Sequence, residues 1–90
     1  MSTVVVLHRV NDYGQWRSVY DSVDELRKES GVLEHSVFRA EGDPDNILVT
    51  HRFPSLDAAH RYFEDPRVLE AVRDAGVIES SARIEFFEDA

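Results

Sequence analysis

Residues 3–31 read TVVVLHRVNDYGQWRSVYDSVDELRKESG and combine a strand with the helix that follows it. Thr3 to Val10 is rich in β-branched residues, and apolar side chains fall on both of its faces, as in a central strand covered on two sides. Asp12 is a good N-cap, with Gln15 at the capping-box position. Gly31 is the residue at which this helix is predicted to end.

The helix after Asp12 is predicted to be amphipathic. Its apolar residues recur at steps of three and four and form one stripe: Tyr13, Trp16, Val19, Tyr20, Val23 and Leu26. Charged residues occupy the opposite side: Arg17, Asp21, Asp24, Glu25 and Lys28. One side of the helix is therefore expected to face a core.

Two further strands are predicted at residues 32–41 and 47–53. The residues between them, Gly42-Asp43-Pro44-Asp45-Asn46, are all turn formers. A connection of this length makes a hairpin, so the two strands are expected to pair antiparallel.

The rest of the chain predicts a second helical stretch and a last strand. Ser55 caps a helix that Pro66 interrupts, and a shorter helix follows as far as Gly76. Residues 82–88 alternate between apolar and polar side chains, which indicates a fourth strand. Residues 1–90 are expected to form one domain.

The order β-α-β-β-α-β is that of the ferredoxin-like unit, an α+β fold. Right-handed crossovers place the strands in the order 4-1-3-2 in an antiparallel sheet, with the helices on one face.

Charge and composition exclude several classes of function. The chain has 18 acidic against 10 basic residues, a net charge of −8, and no cysteine. A nucleic acid or an anionic membrane would be repelled, and thiolate chemistry, disulfides and zinc fingers are absent. The apolar run Val4 to Leu7 is too short for a spanning helix or a signal segment, so a cytoplasmic protein is expected.

Two sets of strand residues compete for the face of the sheet that the helices leave bare. One set includes Val4, Val6, His8, His35, Val49, His51, Glu85 and Phe87. The other includes Val5, Leu7, Arg9, Phe38, Leu48, Arg52, Ile84 and Phe86. Both are too apolar to face water, so we expect a homodimer in which two sheets pack face to face.

The chain resembles a known family in five short segments. They are His8-Arg9-Val10-Asn11-Asp12-Tyr13 with Trp16, Gly31-Val32, Asp43-Pro44-Asp45-Asn46, Phe53-Pro54-Ser55-Leu56-Asp57-Ala58-Ala59, and Ala75-Gly76-Val77. Together they are similar to the dimeric α+β barrel superfamily and, within it, the antibiotic-biosynthesis-monooxygenase-like group. The likeness spans nearly the whole chain but contains no catalytic signature.

The resemblance implies a homodimer whose subunits each hold a cavity between sheet and helices. Relatives include cofactor-free oxygenases of polyketide-derived phenols, polyketide cyclases, haem-degrading enzymes and proteins without known activity. The haem-degrading relatives use an Asn on the first strand, a Trp, and a His on the second helical segment. His8 stands near the place of that Asn, Trp16 lies on the first helix, and His60 does not match the haem ligand. No cofactor is therefore expected.

Three histidines on the strands, His8, His35 and His51, share one parity. The hairpin is expected to place His35 opposite His51 or Phe53, and antiparallel pairing is expected to place His8 diagonally beside His51. Such imidazoles could act as a general acid or base near neutral pH, hold a metal, or only form hydrogen bonds across strands. We expect no metal, because carboxylate helpers are scarce on that face.

The candidate substrate-binding residues are Trp16, Tyr20, His35 and Phe63, and the candidate catalytic residues are His8, His51, Arg9 and Arg52. The aromatic residues either line a cavity for a flat aromatic ligand or pack as ordinary core. The two arginines either stabilise an enolate or phenolate, or pair with Glu34 or Glu85 or lie in solvent.

Two functions follow from these residues and the resemblance. The first is a cofactor-free monooxygenase or cyclase for a small aromatic or polyketide-like molecule. The second is a non-catalytic dimer that binds a small hydrophobic ligand. Neither a nucleic acid nor a membrane is an expected partner.

Overall fold

A computed structural model describes all 90 residues. The elements in chain order are β1 Ser2–Val10, α1 Tyr13–Ser22, α2 Asp24–Glu29, β2 Glu34–Ala40, β3 Asp43–Phe53, α3 Leu56–Glu64, α4 Pro66–Asp74 and β4 Val77–Glu88. The strands form one antiparallel sheet in the order β2-β3-β1-β4, and the helices cover one face of it. This arrangement confirms the predicted ferredoxin-like fold. No helix has the length and apolar character needed to cross a bilayer.

The helix caps form where the sequence predicts them. The Asp12 carboxylate accepts the Gln15 amide N–H at 2.9 Å, and the Ser55 hydroxyl accepts the Ala58 N–H at 3.1 Å. Gly76 follows α4 with φ +74°, a left-handed conformation that favours glycine. These local signals place the helix ends without reference to the rest of the fold.

The single helix predicted after Asp12 is in fact two helices, so that prediction was wrong. The chain leaves helical geometry at Val23, with φ −104° and ψ 20°. The break allows each half to pack on a different part of the sheet: Trp16 of α1 packs against Ile47, whereas Leu26 of α2 packs against Phe53.

The hairpin between β2 and β3 is tighter than predicted. Ala40 pairs with Asp43, so only two residues form the turn and β3 begins at Asp43 rather than Ile47. Side-chain contacts hold the turn-forming residues in the strand. The Asp43 carboxylate pairs with Arg9, the Asp45 carboxylate accepts the Tyr13 N–H, and the Pro44 carbonyl accepts Arg39 Nε.

The strand β4 begins at Val77, earlier than the predicted Ala82, because it contains a bulge. Leu7 pairs with Arg83, but Arg9 pairs with Ile78, so the four residues 79–82 lie opposite His8 alone and three of them are extra in the ladder. Within this segment the Ser81 hydroxyl accepts the Arg9 amide N–H at 2.8 Å and takes the place of a backbone partner.

The register decides which residues face the helices. On β1 and β3 the covered residues belong to the set that includes Val4, Val6 and His51. On β4 the expectation was wrong: Ile84 and Phe86 pair with Val6 and Val4 and lie under the helices, so Glu85 and Phe87 lie on the bare face.

The bare face of the sheet carries several apolar side chains and has no covering element in this chain. Leu7, Phe38 and Phe87 are exposed on it, and Val5 and Leu48 are half-buried between them. An apolar surface of this kind is typical of a protein interface.

The buried side chains form two clusters rather than one. The first contains Val4, Leu26, Phe53, Ala58, Ala59, Tyr62 and Val68. The second contains Val10, Trp16, Tyr20, Ile47, Val49 and Ala75. Val6, in the middle of β1, packs against both.

Candidate functional site

A cavity of about 350 Å³ lies between the helices and the sheet. Its floor is Val6 and Val49, and its walls include Trp16, Tyr20 and Phe63. Its volume lies within the roughly 300–1,000 Å³ of small-ligand sites. Exposed apolar residues of α4 and β4 also line it: Leu69, Val72 and Ile84.

His51 of β3 lies among aromatic rings at one end of the cavity. It is 5% exposed, and the centroids of the Phe63 and Tyr62 rings are 5.4 and 5.6 Å from its own. Burial lowers the pKa of His51 to about 3, and the nearby charge of Arg27 acts in the same direction. Its Nδ1 has no hydrogen-bond partner. The ring is therefore neutral near pH 7 and holds a free polar atom.

His8 of β1 is the second buried imidazole in the cavity wall. It is 4% exposed, its ring centroid is 5.7 Å from that of Trp16, and its Nδ1 has no hydrogen-bond partner. Burial lowers its pKa. The expectation that His8 lies diagonally beside His51 was wrong, because His8 pairs with Ile47, four residues before His51. At ~3.3 Å per residue, about 13 Å of strand separates the two.

His35 pairs with His51 across β2 and β3, the first of the two partners expected for it. It does not line the cavity, but its Nδ1 lies 2.5 Å from the hydroxyl of Tyr20, which does. Burial raises the pKa of Tyr20 to about 12, so this hydroxyl keeps its proton while it is hydrogen-bonded to His35. His35 Nε2 lies 3.8 Å from Asp24 Oδ1 on the partly exposed side. The Tyr20–His35 hydrogen bond thus joins the cavity wall to a partly exposed imidazole.

Arg27 of α2 is a cavity residue that the sequence reasoning missed. Its side chain is 2% exposed, and its guanidinium carbon lies 3.8 Å from the centroid of the Tyr20 ring. Its Nε has no partner. The spacing did contain a signal, because Arg27 follows Tyr20 by seven residues and Val23 by four, and therefore belongs to the apolar stripe.

The two arginines expected at the site lie elsewhere. Arg9 forms an ion pair with Asp43, and Arg52 pairs with Asp89 at 2.6 Å, rather than with Glu34 or Glu85. Both have the strand parity of the bare face and neither lines the cavity. By contrast, Trp16, Tyr20 and Phe63 do line it, and the Trp16 and Tyr20 rings stack with centroids 4.8 Å apart.

No three His, Asp or Glu side chains come together as a possible ligand group, although His35 and His51 stack with ring centroids 6.3 Å apart.

The fold and the cavity define a small α+β protein with a partly open, aromatic-walled chamber beneath its helices. The profile of the antibiotic biosynthesis monooxygenase family matches residues 12–74, more than half of the chain. The chain belongs to that family, which confirms the resemblance. No curated protein matches it.

Solved structures share the fold at low sequence identity. SnoaB, a cofactor-independent oxygenase from Streptomyces nogalater, superposes with a TM-score of 0.81 at 15% identity over 99% of this chain and 92% of that one. A Deinococcus radiodurans protein named for the antibiotic biosynthesis monooxygenases superposes with a TM-score of 0.78. It is 18% identical to this chain, and the match covers 100% of this chain and 93% of that one. A conserved protein of Methanosarcina mazei Go1 superposes with a TM-score of 0.81. It is 13% identical to this chain, and the match covers 99% of this chain and 92% of that one.

Proposed function

We propose that the chain is a monooxygenase or cyclase that works without a cofactor on a small aromatic, polyketide-like molecule held in the cavity. The observation that carries the proposal is an aromatic-walled cavity with two buried imidazoles, His8 and His51, each with a free Nδ1. SnoaB, which shares the fold, is a cofactor-independent oxygenase, and that adds support.

In this proposal the aromatic walls select a flat ligand. Trp16 and Tyr20 stack on each other and form an aromatic wall of the cavity, against whose edges a fused ring system can lie. Phe63 stands edge-on to His51 and limits the space beside that imidazole. The ligand is thereby held with its oxygen atoms close to a proton acceptor.

The chemistry begins with loss of a proton from a phenol or an anthrone carbon to His8 or His51. The resulting anion is electron-rich enough to react with dioxygen. One oxygen atom then becomes the new ring carbonyl, and the other leaves as water with the two displaced hydrogens. In a cyclase the same deprotonation starts an aldol closure. Because Arg9 and Arg52 lie outside the cavity, Arg27 is the residue that stabilises the anion formed by deprotonation of the substrate.

The low pKa of His51 sets a condition on this step. An imidazole of pKa about 3 is a weak base until a negative charge forms beside it, and that charge raises its pKa. The same low pKa favours the second candidate, a protein that binds its ligand without turnover.

The proposal includes a homodimer formed through the bare face of the sheet. Leu7, Phe38 and Phe87 are exposed there, and pairing two such faces would remove them from water. Light scattering at micromolar concentration measures the assembly directly.

Oxygen uptake with an anthrone or a hydroquinone separates the two candidate functions. We expect uptake by the wild type and a loss of about a hundredfold or more in whichever of His8→Phe and His51→Leu removes the base. His60→Gln is the control, because His60 is exposed and does not line the cavity. If the wild type binds these compounds but neither consumes oxygen nor cyclises a polyketide-like substrate, the protein is a binder.

A further inference from the structure

The end of the cavity beside His51 carries a buried positive charge that the chain neutralises only in part. The Arg27 side chain is 2% exposed, and the carboxylate within ion-pair distance of it is Asp24, at 3.5 Å. Asp24 is itself partly exposed and also pairs with Lys28 at 3.3 Å. The Asp24 carboxylate therefore pairs with two cations, and its contact with the buried Arg27 is the longer of the two.

The groups around Arg27 do not supply a second anion. Tyr20, whose ring lies under the guanidinium, keeps its proton because its pKa is raised to about 12. Burial also raises the pKa of Tyr62, and His51 is neutral. The guanidinium is thus held by the face of the Tyr20 ring, by Asp24 and by a hydrogen bond to the Tyr62 hydroxyl, while its Nε remains without a partner.

A buried guanidinium with an N–H donor that lacks a partner destabilises the folded chain. Charged groups are taken out of water at a large cost unless they are paired and hydrogen-bonded. The free Nε–H of Arg27 can donate to a carboxylate oxygen, and a hydrogen bond between two charged groups is stronger than one between neutral groups. The remaining surface of the cavity is apolar or aromatic, so the anion must belong to a flat and otherwise apolar molecule.

We propose that the cavity takes a planar aromatic carboxylate, whose carboxylate binds Arg27 while its rings lie between the aromatic and apolar walls of the cavity. The inference rests on the proposed function for the place of binding, but it requires no turnover. A carboxylate carries one negative charge, which matches the one buried guanidinium, whereas a phosphate would bring up to two. Arg27 is then the specificity-determining residue that distinguishes acids from their neutral analogues.

Calorimetric titration of the full chain with naphthoate and with its primary amide tests the proposal. The two probes share shape and differ in charge. We expect the wild type to bind the acid about tenfold to a hundredfold more tightly than the amide, the range for hydrogen bonds to a charged group. Arg27→Gln abolishes this preference, so that the variant binds the acid and the amide with equal affinity. Arg52→Gln, on the other face, retains the full preference.

A second measurement keeps the test valid if Arg27→Gln does not fold. In the wild type, the NMR signal of the Arg27 Nε–H shifts on addition of naphthoate and not on addition of naphthamide. Equal affinity for the two probes, or no binding of the acid, overturns the proposal, as does an Arg27→Gln variant that still prefers it. Because these outcomes concern binding, they are distinguishable from a failure to consume oxygen.

Discussion

Acid should destabilise this protein in a pH range where its carboxylates do not yet titrate, because of His51. The pKa of His51 is about 3 in the fold, against an ordinary value of 6.5. Between these values the unfolded chain binds a proton that the folded chain does not. The contribution of His51 is therefore fully present above pH ~6.5 and decreases as the pH falls toward ~3.

The size of the effect follows from the two pKa values. Between about pH 7 and pH 5, His51 alone should lower the free energy of unfolding by about 2 kcal/mol. For a domain of this size that corresponds to roughly 8–16 °C in melting temperature. Burial also lowers the pKa of His8 and His35, so both act in the same direction.

The ion-paired aspartates affect stability only below this pH range. The ion-paired aspartates with lowered pKa values start from an ordinary value of 3.8, so their contribution is lost only at lower pH: Asp24, Asp43, Asp65 and Asp89. A loss of stability between about pH 7 and pH 5 therefore reports on histidines.

Urea unfolding at the two pH values, followed by the fluorescence of Trp16 at fixed protein concentration, measures the effect. The His51→Leu variant should lose about 2 kcal/mol less stability than the wild type on acidification. The His60→Gln variant replaces an exposed histidine and should behave as the wild type. If His51→Leu and the wild type show the same pH dependence, the reasoning is refuted.

Three further predictions test the packing. Trp16→Ala should cost about 3–5 kcal/mol in urea unfolding, since Trp16 is 4% exposed. Gly76→Ala should lower the melting temperature more than Gly42→Ala: both have positive φ, but only at Gly76 would a Cβ meet neighbours, 3.3 Å away. Phe38→Asp, on the bare face, should make the protein monomeric in light scattering with an unchanged circular dichroism spectrum; a variant that stays dimeric would contradict the proposed interface.

The parts of the fold that depend on local chemistry could be predicted from the sequence. Asp12, Ser55 and Gly76 act through hydrogen bonds and dihedral preferences within a few residues, and each acts where expected. The strand order followed from chain connectivity and crossover handedness. Long-range register was harder, because alternation defines two faces on each strand but not which faces coincide between strands. For that reason Phe86 and Phe87 were assigned to the wrong sides.

The candidate site was predictable in its aromatic half and not in its charged half. Trp16, Tyr20 and Phe63 stand at apolar stripe positions, where burial is the normal outcome. Arg27 also stands on the stripe, but a charge at such a position is usually assigned to solvent, and its burial depends on the Tyr20 ring beneath it. Arg9 pairs with Asp43 and Arg52 pairs with Asp89, outside the cavity. These residues are distant in the sequence and come together only in the folded chain.

The division of the buried side chains into two clusters has a consequence for how the molecule opens. Val6 is the residue that packs against both, so the two ends of the helical layer should unfold locally with separate free energies, and amide exchange should fall into two classes. A ligand that fills the space between them would complete one continuous core. Such a ligand should slow amide hydrogen exchange in both clusters together. The two clusters would then unfold as one cooperative unit.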